Sequence, residues 1–225
     1  MTATRATRPS VATGRQRAVA ALLAALLAAG GCAGNAAPPN PAIAREAVTE
    51  RGETVLEDQW AALLIAGGKV GYLHTVTRRI EGERPLIVTS IFSEVGIKRM
   101  GVNLSLSTFV EQRETPDGAL VSASSDTRGG GTAVSVRMEV RDGQAIITTR
   151  TAGEPRTTTT PWDAEVLGPW AQTQRLRQSG FRPGARVEYK IFDPSLQRVI
   201  RSAVALDGPE TLRIGGREMM LTRGV

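Results

Sequence analysis

The chain has one cysteine, Cys32, and one histidine, His74, among 225 residues, and aromatic residues make up only 4% of it. With one thiol no intrachain disulfide can form, so stability must come from a packed core. A zinc site built from several His and Cys ligands is excluded on the same count. The longest apolar run, Ala18 to Ala29, is about 12 residues, short of the roughly 20 that a spanning helix needs. No phosphate-loop spacing accompanies the glycines at Gly67-Gly68-Lys69 or Gly129-Gly130-Gly131-Thr132, which read as turns. The sequence has no GxSxG elbow and no calcium-loop spacing of acids. No cofactor is expected. Four of the 28 basic residues (Arg5, Arg8, Arg15 and Arg17) precede Gly30, where no acid occurs, so beyond them the formal charge of +6 falls to +2. Later arginines alternate with acids, as in Arg137, Glu139 and Arg141, and this disfavours nucleic acid as a partner.

Arg15 and Arg17, the short apolar run, and Gly30-Gly31 before Cys32 form the pattern of a secretory signal. Ala28-Ala29-Gly30-Gly31-Cys32 resembles the lipobox of bacterial lipoproteins, with Ala29 where leucine is commoner. The resemblance implies cleavage before Cys32 and its lipidation; an ordinary signal peptide leaving one free thiol is the alternative. Residues 1–31 are therefore read as a signal peptide and 32–58, with prolines at 38, 39 and 41, as a flexible tether. Residues 59–225 are read as the folded domain. Ala33 stands where an inner-membrane retention signal often places Asp, which points to the periplasmic face of the outer membrane.

From Trp60 onward, short β-branched runs are separated by turn residues, the signature of antiparallel β structure. Strands are expected at Trp60 to Ala66, Val70 to Ile80, Leu86 to Arg99, Val102 to Thr115 and Ala119 to Thr127. Val134, Val136, Met138 and Val140 alternate with polar neighbours, which places one face inward. Asp142-Gly143 is a two-residue hairpin signal, followed by strands at Gln144 to Thr151 and Arg156 to Thr160. Pro169 to Ser179 reads as one short helix, with proline at its first position and Gly180 as its left-handed cap; Trp170 and Leu176 are expected to pin it to the sheet. Strands follow around Val187 to Phe192 and at Gln197 to Leu206, Glu210 to Ile214 and Arg217 to Thr222. The expected fold is mainly β, a curved antiparallel sheet or half-barrel of about ten or more strands with that single helix.

Candidate chemistry is sparse. His74 shares a strand face with Tyr72 and Val76; it is a general base or a structural hydrogen-bonding group, and the second reading is preferred. A Cys-His nucleophilic pair fails because Cys32 sits at the signal junction. No catalytic residue is assigned. A curved sheet under a helix can enclose an apolar ligand, lined here by Ile97, Val102, Leu104, Leu106, Val134, Val136, Met138, Val187 and Tyr189; the same side chains could simply make the core, which is the preferred reading.

Gly67-Gly68-Lys69-Val70-Gly71-Tyr72-Leu73-His74, Lys98-Arg99-Met100-Gly101, Glu114-Thr115-Pro116-Asp117-Gly118, and the stretch from Arg182-Pro183-Gly184 to Phe192-Asp193-Pro194 together resemble the N-terminal region of secreted bacterial transglutaminase-like proteins. In that family a β-rich region precedes a papain-related catalytic domain using Cys, His and Asp. No such set is present here, and Val225 stands where the catalytic domain is expected to begin. The resemblance implies a membrane-tethered, non-catalytic accessory domain of a cell-envelope protein, partnered by a downstream catalytic domain or another envelope protein. A stand-alone lipoprotein that binds an apolar ligand or a protein partner is the alternative. Nothing in the sequence sets the oligomeric state.

Overall fold

The computed structural model describes residues 52–65, 68–99, 102–214 and 217–224. The expected signal peptide, Cys32 and most of the expected tether lie outside the described residues. The fold is mainly β, as the alternation predicts. Eight strands run in sequence order as an antiparallel meander that curls without closing: β1 (Glu53–Ile65), β2 (Gly68–Ile80), β3 (Leu86–Arg99), β4 (Val102–Glu114), β5 (Leu120–Gly129), β6 (Thr132–Arg141), β7 (Gln144–Arg150) and β8 (Arg156–Pro161). Helix α1 (Pro169–Gln178) follows, then a three-stranded antiparallel sheet of β9 (Arg186–Asp193), β10 (Arg198–Ile214) and β11 (Arg217–Gly224), with β10 in the middle.

The tight turns form where the sequence demands them. Asp142 and Gly143 both have positive φ, 50° and 70°, as the primed two-residue hairpin turn requires. Two boundaries differ from the sequence reading. β1 starts at Glu53 and not at Trp60, so residues 53–58 belong to a strand and not to the tether. A register shift between Val55 and Glu57 breaks the two-residue period there and hides the strand in the sequence. β10 continues through Gly208-Pro209, where two separate strands are expected. Leu206 still exchanges hydrogen bonds with Gly184 and Ala185 beside β9; beyond it the strand pairs only with β11 among the described strands, across a register shift at Leu206/Gly208, and a strand with one unpaired edge accommodates proline.

One cross-strand row runs across the entire meander: Glu57, Thr77, Thr89, Gln112, Ala123, Met138, Ile147 and Thr158. This inner face carries the core on its β5 to β7 side, where Leu120, Ala123, Val136, Met138, Ala145 and Ile147 pack with Val166 and Phe192. Val166 and Leu167 join the two sheets, since Leu120 N–H donates to the Val166 carbonyl and Leu167 N–H to the Lys190 carbonyl. Lys190 reinforces the joint with ion pairs of 2.6 Å to both Asp163 and Glu165. These hydrogen bonds raise the Lys190 pKa, and the bond from Lys190 lowers that of Asp163.

Candidate functional site

On the β1 to β4 side the inner face is organised by α1. Its sequence, PWAQTQRLRQ, has no acid in the first turn, and Gly168 at its N-cap offers no side-chain cap. The missing acceptor comes from β4: Glu114, fully buried, takes the Trp170 N–H on Oε2 and the Ala171 N–H on Oε1, each at 2.9 Å. A helix N-terminus has unsatisfied N–H groups and a positive end, and one carboxylate answers both. Burial nevertheless pushes the Glu114 carboxyl up to about 7, with the two backbone hydrogen bonds opposing that rise. At the other end Arg177 pairs with Glu57 on β1. The helix thus runs from β4 towards β1 along the row whose members Thr77, Thr89 and Gln112 are buried. No residue of α1 is fully buried, Trp170 and Leu176 included. Trp170 and Leu176 are half-buried, and the polar contacts at both ends fix the helix further.

Beyond the helix the inner face opens, among the described residues, into a trough whose apolar side chains are interspersed with Gln59, Thr75, Ser93 and Thr108. Ile91 pairs with Val110, then Leu73 lies in the next row, and Leu63, Gly71, Val95 and Leu106 make a row further out, followed by Ile97 opposite Leu104. From the Thr77 row to the Gly71 row is six residues along β2, on the order of 20 Å. The four strands give a width of roughly 14 Å. Leu63, Leu73, Val95 and Ile97 are half-buried, while Leu104 and Leu106 are each 45% exposed. The sequence-derived lining therefore divides: Val136 and Met138 are buried in the core, Val134 packs on it, Val187 and Tyr189 are half-buried on the three-stranded sheet, and Leu104 and Leu106 line the trough. The Val102 side chain lies outside the described residues. A separate depression of about 390 Å³ is lined by Thr149, Thr151, Glu154, Arg156, Thr158 and Gln197.

The outer face carries His74 in a row with Trp60, Phe92 and Phe109. His74 Nε2 is 2.8 Å from Asp58 Oδ1, and its ring lies parallel to that of Trp60 with centroids 4.0 Å apart. Tyr72 donates to Glu94 at 3.0 Å; burial first and this acceptor second push its hydroxyl up to about 12. His74 is thus oriented by a carboxylate and covered by an aromatic ring, an arrangement that fixes a side chain on the sheet. No group of three or more His, Cys, Asp or Glu among the described residues is placed to hold a metal ion. No described helix is long and apolar enough to cross a membrane.

No protein-family model and no curated protein matches the chain. Among solved structures, the chain is similar to a β-barrel-like protein of domain of unknown function DUF1849 from Brucella abortus. The identity is 11%, the match covers 72% of this chain and 70% of that one, and the TM-score is 0.42.

Glu114 is the residue that sequence reasoning passed over as part of a turn motif. Two signals in the sequence mark it: it keeps the inward parity of Gln112 and Val110, and the helix Pro169–Gln178 lacks an acid in its first turn or a capping side chain of its own.

Proposed function

We propose that this chain is a membrane-tethered, non-catalytic binding domain of the bacterial cell envelope, and that its ligand is an apolar chain lying in the trough of β1 to β4. The observation that carries this reading is the trough itself, where Leu104 and Leu106 stand 45% exposed beside half-buried Leu63, Leu73, Val95 and Ile97. Monomeric soluble domains seldom group exposed apolar side chains in this way without a use for them. Export and tethering rest on the pattern from Arg15 to Cys32. The resemblance to transglutaminase-like proteins supports an accessory position beside a catalytic domain; of its motif residues, Gly68 to His74 fall on β2 and Lys98 and Arg99 on β3.

Titration of the purified full chain with an environment-sensitive fluorescent fatty acid tests the ligand. Leu106→Glu, at a site already 45% exposed, is expected to leave the fold intact and weaken probe binding roughly tenfold or more, because a charge replaces apolar contact area. Unchanged affinity in Leu106→Glu and Leu104→Glu sinks the assignment. For the tether, Cys32→Ser is expected to move the protein from the membrane fraction to the soluble fraction, since each buried acyl CH₂ contributes about 0.8 kcal/mol to attachment. Unaltered partitioning removes the lipid anchor.

A further inference from the structure

We propose that β1 is a homodimer edge, pairing antiparallel with β1 of a second copy about a two-fold axis at Trp60. β1 ends the meander and pairs only with β2 among the described strands. Such an edge presents a row of N–H and C=O groups ready for another strand. Proteins commonly block long edges with lysine, proline or inward charges, and Glu53–Ile65, ETVLEDQWAALLI, has neither lysine nor proline. Its two central acids are already engaged within the chain, Glu57 by Arg177 and Asp58 by His74.

The pattern along β1 selects the partner. The regular part of the strand runs from Glu57 to Leu63, between register shifts at Val55/Glu57 and Leu63/Leu64, and Trp60 is its midpoint. Antiparallel pairing about that midpoint sets Trp60 against Trp60 of the second copy, Asp58 against Ala62, and Glu57 against Leu63. The exposed Leu56 and Leu64, 38% and 53% accessible, flank the regular part at equal spacing from Trp60, one at each end. No like charges face one another in this register. Centring the pair on Asp58 would place two aspartates face to face, which is unfavourable.

The aromatic row supplies the second argument. Trp60 lies parallel to His74, one strand inward, at 4.0 Å and 10°, in the row that continues through Phe92 and Phe109. One ring face of Trp60 therefore covers His74 and the other looks past the sheet edge, consistent with its 55% exposure. Trp60 of a second copy, arriving in the two-fold register, extends the same stack by one ring. The contact is isologous and closes on itself, giving a dimer and not a filament.

Sedimentation equilibrium of the full chain in density-matched detergent tests the proposal, with circular dichroism confirming that each variant folds. The expected result is a reversible dimer. Trp60→Glu and Ala62→Asp should each weaken it roughly tenfold or more, since each sets like charges in opposition at the interface. Ala62→Lys, facing Asp58 of the second copy, should tighten it. A chain that stays monomeric at its highest soluble concentration overturns the proposal. So does a dimer indifferent to all three variants, an open-ended series of larger species, or Ala62→Lys weakening the dimer as much as Ala62→Asp. Fatty-acid probe binding is read on the same samples, so failure of the trough assignment and failure of the edge are separate results.

Discussion

Replacing Glu114 with glutamine is expected to change how stability depends on pH. Glu114 is fully buried, and its carboxyl is raised from 4.5 to about 7 by burial. A group whose folded pKa lies above its unfolded value contributes stability that is fully present below the unfolded value and is lost as pH rises through the folded one. Here that window runs from about 4.5 to about 7. The stability of Glu114→Gln relative to the native chain should therefore rise by on the order of 3 kcal/mol between pH 4.5 and pH 8. Urea melts of the two proteins across that range measure it, and taking their difference cancels the other titrating groups. A difference that does not vary with pH would show that the buried carboxyl keeps its ordinary pKa. Glu114→Ala tests the other half of the role. It removes the acceptor of the Trp170 and Ala171 N–H groups and leaves a void, an expected loss of about 3 kcal/mol at pH 5.

Gly71→Ala is expected to lower stability by about 3 kcal/mol, a drop of roughly 6–12 °C in Tm for a domain of this size. A Cβ on Gly71 would lie 1.9 Å from the Glu94 carbonyl oxygen and 3.0 Å from the Val95 Cα. These are backbone atoms of the paired strand, so no side chain can turn away to make room. The pair must separate where Tyr72 donates to Glu94 and where the trough row passes through Gly71 and Val95. Thermal unfolding followed by circular dichroism checks the value, and a Tm within 2 °C of the native protein would show that β2 and β3 part there at little cost.

The legible parts of this fold are those in which one residue's chemistry decides its own neighbourhood. Val134, Val136, Met138 and Val140 alternate with polar residues because a pleated strand has two faces, and Met138 is 1% exposed at the core. Asp142-Gly143 turns because it accepts positive φ, and Gly180, with φ of 65°, caps α1 as expected. The start of β1 was hidden because Val55, Leu56 and Glu57 cross a register shift, so neighbours in sequence do not alternate. Gly208-Pro209 signals a turn, yet the strand continues because only one of its edges is paired there. Leu104 and Leu106 show the limit of alternation: it places them on the inner face, but nothing local says that the helix and the small sheet leave that part of the face open.

Alternation and turn chemistry in the sequence were enough to determine a mainly β fold of many strands and the helix from Pro169, because both act over two to four residues. The tertiary structure alone decided the use of Glu114. A glutamate before Pro-Asp-Gly has the ordinary makings of a solvated turn residue, and it becomes a buried helix cap only because Trp170, 56 residues later, is brought onto it. Where α1 comes to rest, and with it how much of the inner face stays open among the described residues, was likewise decided by contacts between distant segments, whose free energy no local pattern encodes.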